Sequence, residues 1–212
     1  NKALEATDAS FAEDALAIKS EILMKQGHNA EAIDTYRLLE SKSSSRDNKI
    51  IANLGIMRAS KEMSHWDDVL SSAATLLSLG SLTANEERET RLNRAIAYTH
   101  LGKKAEAKAD YATLAKDVRN EVGAQAAYLH AKMLYDEGKT ADCEKHLNAF
   151  IDEGTPHQYW LAKAFILLAD VYHKKGDSFE ACEYLRSLKS NYPGTESDIF
   201  NDIDTRLKAW QK

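Results

Sequence analysis

The sequence predicts an all-α solenoid, a row of helical hairpins, and three observations predict it. Chain breakers are scarce, with nine glycines and two prolines in 212 residues; a β-sandwich needs turn residues every eight to twelve positions and cannot be built from so few. Turn residues recur at a near-constant interval: Gly27, Ser64, Gly102, Gly138 and Gly176 are 37, 38, 36 and 38 apart. Small and large residues then fall in register around each turn.

Seven residues before the turn stand Ser20, Met57, Ala95, Ala131 and Ala169, and five after it Ala32, Val69, Ala107, Cys143 and Ala181. Four further on are Tyr36, Ala73, Tyr111, Leu147 and Leu185, then Leu39, Leu76, Leu114, Phe150 and Leu188. Four before the turn are Leu23, Ser60, Tyr98, Leu134 and Tyr172. Antiparallel helices approach closely only where small side chains meet, and larger ones three and four residues away fill the flanking holes. A single amphipathic bundle explains helical spacing but not a fixed period with small residues in register.

In chain order the hairpins are expected at about 11–44, 48–80, 84–118, 120–154 and 156–193. Ser10 with Glu13 has capping-box spacing for the first. Ser64 replaces the turn glycine in the second. Thr83 with Glu86 caps the third, and Asp177 with Glu180 caps the second helix of the fifth. Thr155, Pro156 and Gln158 place a cap, a proline at the first helical position and a third-position acceptor ahead of the fifth hairpin. A last helix, 195–211, opens at Thr195 and Asp198; a polar outer surface there would cap the open end of the row. The connectors, Ser41 to Asp47, Gly80 to Asn85, Asp152 to Thr155 and Tyr192 to Gly194, are too short to separate domains, so 1–212 reads as one array.

Composition narrows the function classes. Hydrophobic residues make up 43% and charged ones 29%, the balance of a globular chain. The longest apolar run, Ala164 to Ala169, is far below the roughly 20 residues a membrane span needs. A net charge of -5 argues against general affinity for nucleic acid; the basic stretch Lys103, Lys104, Lys108, Lys116 and Arg119 is interrupted by Glu106, Asp110 and Asp117. Cys143 and Cys182 sit at small apolar positions and read as free, buried thiols. The chain opens at Asn1 with no signal peptide ahead of it, which leaves both a processed chain and a fragment of a longer one open.

The columns resemble tetratricopeptide repeats: a bulky residue, Leu-Gly or a small pair, Tyr, a turn Gly, Ala, an aromatic or Leu, and a closing Pro. The last unit carries Phe165, Leu168, Ala169, Tyr172, Gly176, Ala181, Leu185, Leu188 and Pro193. The resemblance covers residues 11 to 193 and is weakest around Ser64. It implies a right-handed superhelix whose first helices line a concave groove, and a protein-binding role. The family repeat is 34 residues, so each unit here is two to four longer, expected in the connections between repeats. Asn191 to Ser197, "NYPGTES", resembles a repeat boundary of bacterial cell-envelope proteins of this class, which implies periplasm or cell envelope, with the cytoplasm as the alternative.

No catalytic constellation is legible. His28, His65, His100, His130, His146, His157 and His173 form no metalloprotease or metal-ligand spacing; His28 and His65 fall in turns and His130 beside a core column. Phosphate loop, nucleophile elbow and paired-cysteine zinc motif are all missing. The sequence therefore reads as a non-enzyme with no cofactor and no metal.

The groove supplies the candidate site. Positions six and three before the turn, with those ten and thirteen before it, select Arg58 and Lys61, Ile96 and Thr99, Tyr128, Lys132 and Tyr135, and Lys163, Ile166, Asp170 and His173, with His100 at the edge. Tyr128, Lys132 and Tyr135 share one helical face and offer amphipathic rings beside a cation. Some family members clamp a peptide carboxylate with lysine and asparagine; here the matching positions are Ala17 and Glu21, then Leu54 and Arg58, so the clamp is not expected. The expected partner is an unidentified protein or peptide. The alternatives are a structural spacer in a longer array, in which the helix from Phe11 to Gln26 exposes an apolar edge to an upstream repeat, and an accessory subunit binding a small ligand or sugar.

Overall fold

The structure, a computed structural model, describes residues 2–210, with side chains described from residue 11 onward. Eleven helices account for most of the described residues: α1 (Lys2–Lys25), α2 (Asn29–Lys42), α3 (Arg46–Glu62), α4 (Trp66–Leu79), α5 (Ala84–His100), α6 (Lys104–Leu114), α7 (Glu121–Asp136), α8 (Thr140–Glu153), α9 (Gln158–Lys174), α10 (Ser178–Asn191) and α11 (Ser197–Trp210). They form two compact units, Asn1–Asp110 and Tyr111–Lys212.

One turn is repeated five times. The N–H of each turn residue donates to the carbonyl three back, and the next N–H donates to the carbonyl five back. The pairs are Gly27–Met24 with His28–Leu23, Ser64–Lys61 with His65–Ser60, Gly102–Thr99 with Lys103–Tyr98, Gly138–Tyr135 with Lys139–Leu134, and Gly176–His173 with Asp177–Tyr172. This closing motif satisfies carbonyls that a helix end leaves orphaned, and it requires a left-handed residue. Ser64 adopts it at φ 58° without being glycine. The three-residue turns do not vary; the period changes with the connections between hairpins, 43–45, 80–83, 115–120 and 154–157, and with helix length, α6 having 11 residues where the other second helices have 14.

The register columns are the core. All residues seven before and five after the turn are buried, from Ser20 and Ala32 through Ala169 and Ala181. In the first unit, α1, α2 and α3 share one apolar cluster around Ile33, Tyr36 and Leu39, and α3, α4 and α5 share another around Met57, Val69 and Leu76. Arg94 of α5 meets the buried Asp110 of α6 at two points, both 2.8 Å. In the second unit, α7, α8 and α9 enclose Leu134, Leu147 and Leu168; α9, α10 and α11 enclose Ala169, Leu185 and Ile203. Within each unit a hairpin is thus completed by the first helix of the next, α3 and α5 in the first and α9 and α11 in the second.

Caps follow the sequence in part. Thr83 and Glu86 form the full capping box, and Asp177 accepts from the Glu180 N–H at 3.0 Å. Two expectations need correction. Helix α1 runs through Ser10, starting at Lys2; the Ser10 side chain lies outside those described. Glu13 instead accepts from Ser43 Oγ at 2.5 Å and Asn48 Nδ2 at 2.6 Å, tying α1 to the α2–α3 connection. Thr155 and Pro156 precede the helix they were expected to open, and α9 begins at Gln158 behind His157. Thr155 Oγ1 donates to the Val118 carbonyl at 2.7 Å and accepts from the His157 N–H at 3.2 Å, so it closes a turn ahead of the helix, and His157 Nε2 lies 3.0 Å from the Arg119 carbonyl. The last helix opens at Ser197 rather than at 195 and is described to Trp210, residue 211 lying outside the described residues.

Candidate functional site

The candidate positions lie on α3, α5, α7 and α9, the first helices of the last four hairpins. In the first unit, Arg58 of α3 meets Glu89 of α5 with two bonds of 2.6 Å. That carboxylate holds the guanidinium in its charged form, raising its pKa against the cost of burial. Lys61, Glu62 and Asn93 join the pair around a depression of about 470 Å³ that reaches Met24 and Asn29. Thr99 is exposed, its hydroxyl donating to the Ala95 carbonyl at 2.9 Å. His100 stacks on Trp66 at 4.0 Å between ring centroids.

In the second unit the same face is aromatic and charged. Tyr128 packs half-buried beside Trp160, with centroids 5.8 Å apart, and burial pushes its phenol pKa up. Lys132 pairs with Asp136 on its own helix, at 2.5 and 2.7 Å. Tyr135 carries the Lys174 ammonium 4.8 Å from its ring centroid. Asp170 is bound at two points by Arg206 of α11, at 2.7 and 2.9 Å. His173 stacks on Trp210 at 4.1 Å and bonds Ser178 Oγ at 2.9 Å.

Lys163 completes the row, 2.8 Å from Asp198 and 2.9 Å from Asp202. Burial disfavours its charge, yet bonds to the two carboxylates outweigh it and its pKa is raised. Asp198 is in turn lowered, first by Lys163 and then by the Tyr159 hydroxyl. Ile166 departs from expectation: it is buried in the core against α11 rather than presented on the face.

The acceptors Glu89, Asp198 and Asp202 and the donor Arg206 were not among the sequence candidates. Glu89 stands thirteen before Gly102, so the same register rule reaches it. Helix α11 has no turn residue after it, and nothing in the sequence sets its register. Most charged groups of this face thus have partners within the protein, and what it offers outward is tyrosine, tryptophan and ion pairs of differing exposure. Cys143 and Cys182 are free and buried, and burial pushes the Cys143 thiol up to about 12. Among the described residues no helix is long and apolar enough to cross a membrane.

Residues 158–195 match the family described as tetratricopeptide repeat. The C-terminal part of a tetratricopeptide-repeat protein from Cytophaga hutchinsonii superposes with a TM-score of 0.68 at 16% identity, covering 92% of this chain and 71% of that one. The fold is that of a tetratricopeptide-repeat protein. YrrB, a tetratricopeptide-repeat protein with an unusual peptide-binding site, is similar over 100% of this chain and 97% of its own, at 17% identity and a TM-score of 0.65. No curated protein matches.

Proposed function

We propose that this chain binds a peptide or a helix of a partner protein on the face of its first helices, centred on α7 and α9 of the second unit. The carrying observation is the α7 row: Tyr128 and Tyr135 stand about one turn to either side of Lys132, which pairs with an exposed carboxylate one turn away on the same helix. Such exposed pairs are worth about 0.3–0.5 kcal/mol, so Lys132 can turn to an incoming carboxylate at little cost. Rigid aromatic rings beside a redirectable cation suit recognition of an acidic or terminal carboxylate group flanked by apolar side chains. In the first unit, Arg58, Lys61 and Thr99 occupy the same positions, and Asp170 and His173 extend the α7 row onto α9. The mechanism is surface complementarity, with no chemical step. The peptide-binding site of YrrB lends the reading support by likeness of fold.

The test is selection of displayed random peptides on the full chain, repeated on a Tyr128→Ala, Lys132→Glu, Tyr135→Ala variant of matched helicity. Peptides with carboxylates beside apolar residues, selected by the first and lost by the second, are the expected result. Equal capture by both proteins moves the site elsewhere.

A further inference from the structure

Helix α1 carries an apolar stripe in a register that α3, α5 and α9 bury in full and that α7 buries except at the partly exposed Leu129. Phe11, Ala15, Ile18 and Ile22 follow one another at helical spacing and are all exposed, Phe11 at 68%, Ile18 at 59% and Ile22 at 49%. Counted back from the turn residue, Ala15, Ile18 and Ile22 correspond to Ala52, Gly55 and Ala59 of α3, to Thr90, Asn93 and Ala97 of α5, and to Ala164, Leu167 and Val171 of α9. Each of these is buried. The match to α9 extends to residue type. Trp160, Ala164, Leu167 and Val171 repeat the order aromatic, alanine, aliphatic, aliphatic of the α1 stripe.

What covers the α9 stripe is known: it packs into the cluster formed by α7 and α8, against Cys143, Leu147 and Phe150 of the second helix. Those three are one small and two large residues at four- and three-residue spacing, and the second helices α2 and α10 repeat it as Ala32, Tyr36, Leu39 and Ala181, Leu185, Leu188. The size of the α1 residues refines this choice. Gly55 of α3 admits the Tyr36 ring so closely that an added Cβ would lie 2.2 Å from it. With Ile18 at that position, α1 is shaped for the looser α9-type contact.

We propose that the Phe11–Ile22 face of α1 is a docking surface for a helical hairpin of the same repeat type, seated as α7–α8 is seated on α9. This goes beyond the peptide-binding reading and uses another face of another helix. A second copy of this chain has no such hairpin face to offer at its other end, since α11 already covers Ala181 and Leu185 of α10. Three adjacent large apolar side chains left in water are a poor surface for a lone protein and a good one for an interface.

The experiment places a copy of residues 120–157 directly ahead of residue 9, so that the 154–157 connection enters α1 as it enters α9. Amide hydrogen exchange over 11–22 is compared with that of the unextended chain. The proposal expects exchange slowed on the order of tenfold or more, one cooperative melting transition at higher temperature, and loss of both effects with Ile18→Glu. Circular dichroism of Ile18→Glu in the unextended chain checks that the exposed substitution leaves the fold intact. Unchanged exchange over 11–22 in the extended chain overturns the proposal. So does an unextended chain that already sediments as a dimer and becomes a monomer with Ile18→Glu, since a second copy would then be the occupant.

Discussion

The guanidinium of Arg206 grips the Asp170 carboxylate through two bonds, 2.7 and 2.9 Å long, and joins α11 to α9. Both side chains are largely withdrawn from solvent, at 25% and 16% exposure. Asp170→Asn or Arg206→Met should therefore lower the stability of the second unit by about 1.5–3 kcal/mol, the range for bonds to charged groups. A urea-unfolding double-mutant cycle measures it. Additive effects of the two changes would show that the bridge contributes nothing beyond its separate residues.

The approach of Tyr36 to Gly55 predicts an asymmetric response. Gly55→Ala improves helix propensity by about 1 kcal/mol, but its Cβ meets the Tyr36 ring at 2.2 Å. Overpacking costs about 1–3 kcal/mol, so the variant should be net destabilised. Combining it with Tyr36→Ala should recover part of what the two single changes lose together. A gain in melting temperature for Gly55→Ala alone would contradict the contact.

Ser64 holds a left-handed conformation at φ 58°, where the other four hairpin turns have glycine. A side chain there costs roughly 1–2 kcal/mol. Ser64→Gly relieves that strain but enlarges the freedom of the unfolded chain. Net stabilisation of about 0.5–1 kcal/mol is expected by chemical denaturation, whereas Gly138→Ser should destabilise by a similar amount. Opposite signs for the two substitutions are the diagnostic.

The Lys163 cluster sets a pH window. Asp198 has a lowered pKa, so its contribution is present above the ordinary aspartate range near 3.9 and is lost as pH falls through its folded value. Lys163 has a raised pKa, so its contribution is complete below about 10.4 and is lost as pH rises through the folded value. The attachment of α11 should be strongest between these limits and weaken on both sides. Lys163→Met should flatten the alkaline decline, read from the fluorescence of Trp210 against pH. An unchanged alkaline decline would place its origin elsewhere.

The five turns, the buried columns and the pairing of helices were legible in the sequence because they depend on local chemistry. A left-handed turn wants glycine, a close crossing wants a small side chain, and both recur at the period of the hairpin. The exposed edge of α1 was legible for the same reason, since Phe11, Ile18 and Ile22 share one helical face whatever lies beside them. The cap at Thr155 was misread because its hydroxyl, anchored by donating to the Val118 carbonyl 37 residues away, accepts from the His157 N–H in a turn ahead of the helix, a choice no local pattern records. The state of the binding face was likewise decided by tertiary structure. Arg58, Asp170 and Lys163 look like free charges in the sequence. They acquire partners only when α3 meets α5 and α9 meets α11, because an ion pair between neighbouring helices depends on their relative register, and α11 carries no turn residue from which that register could be counted.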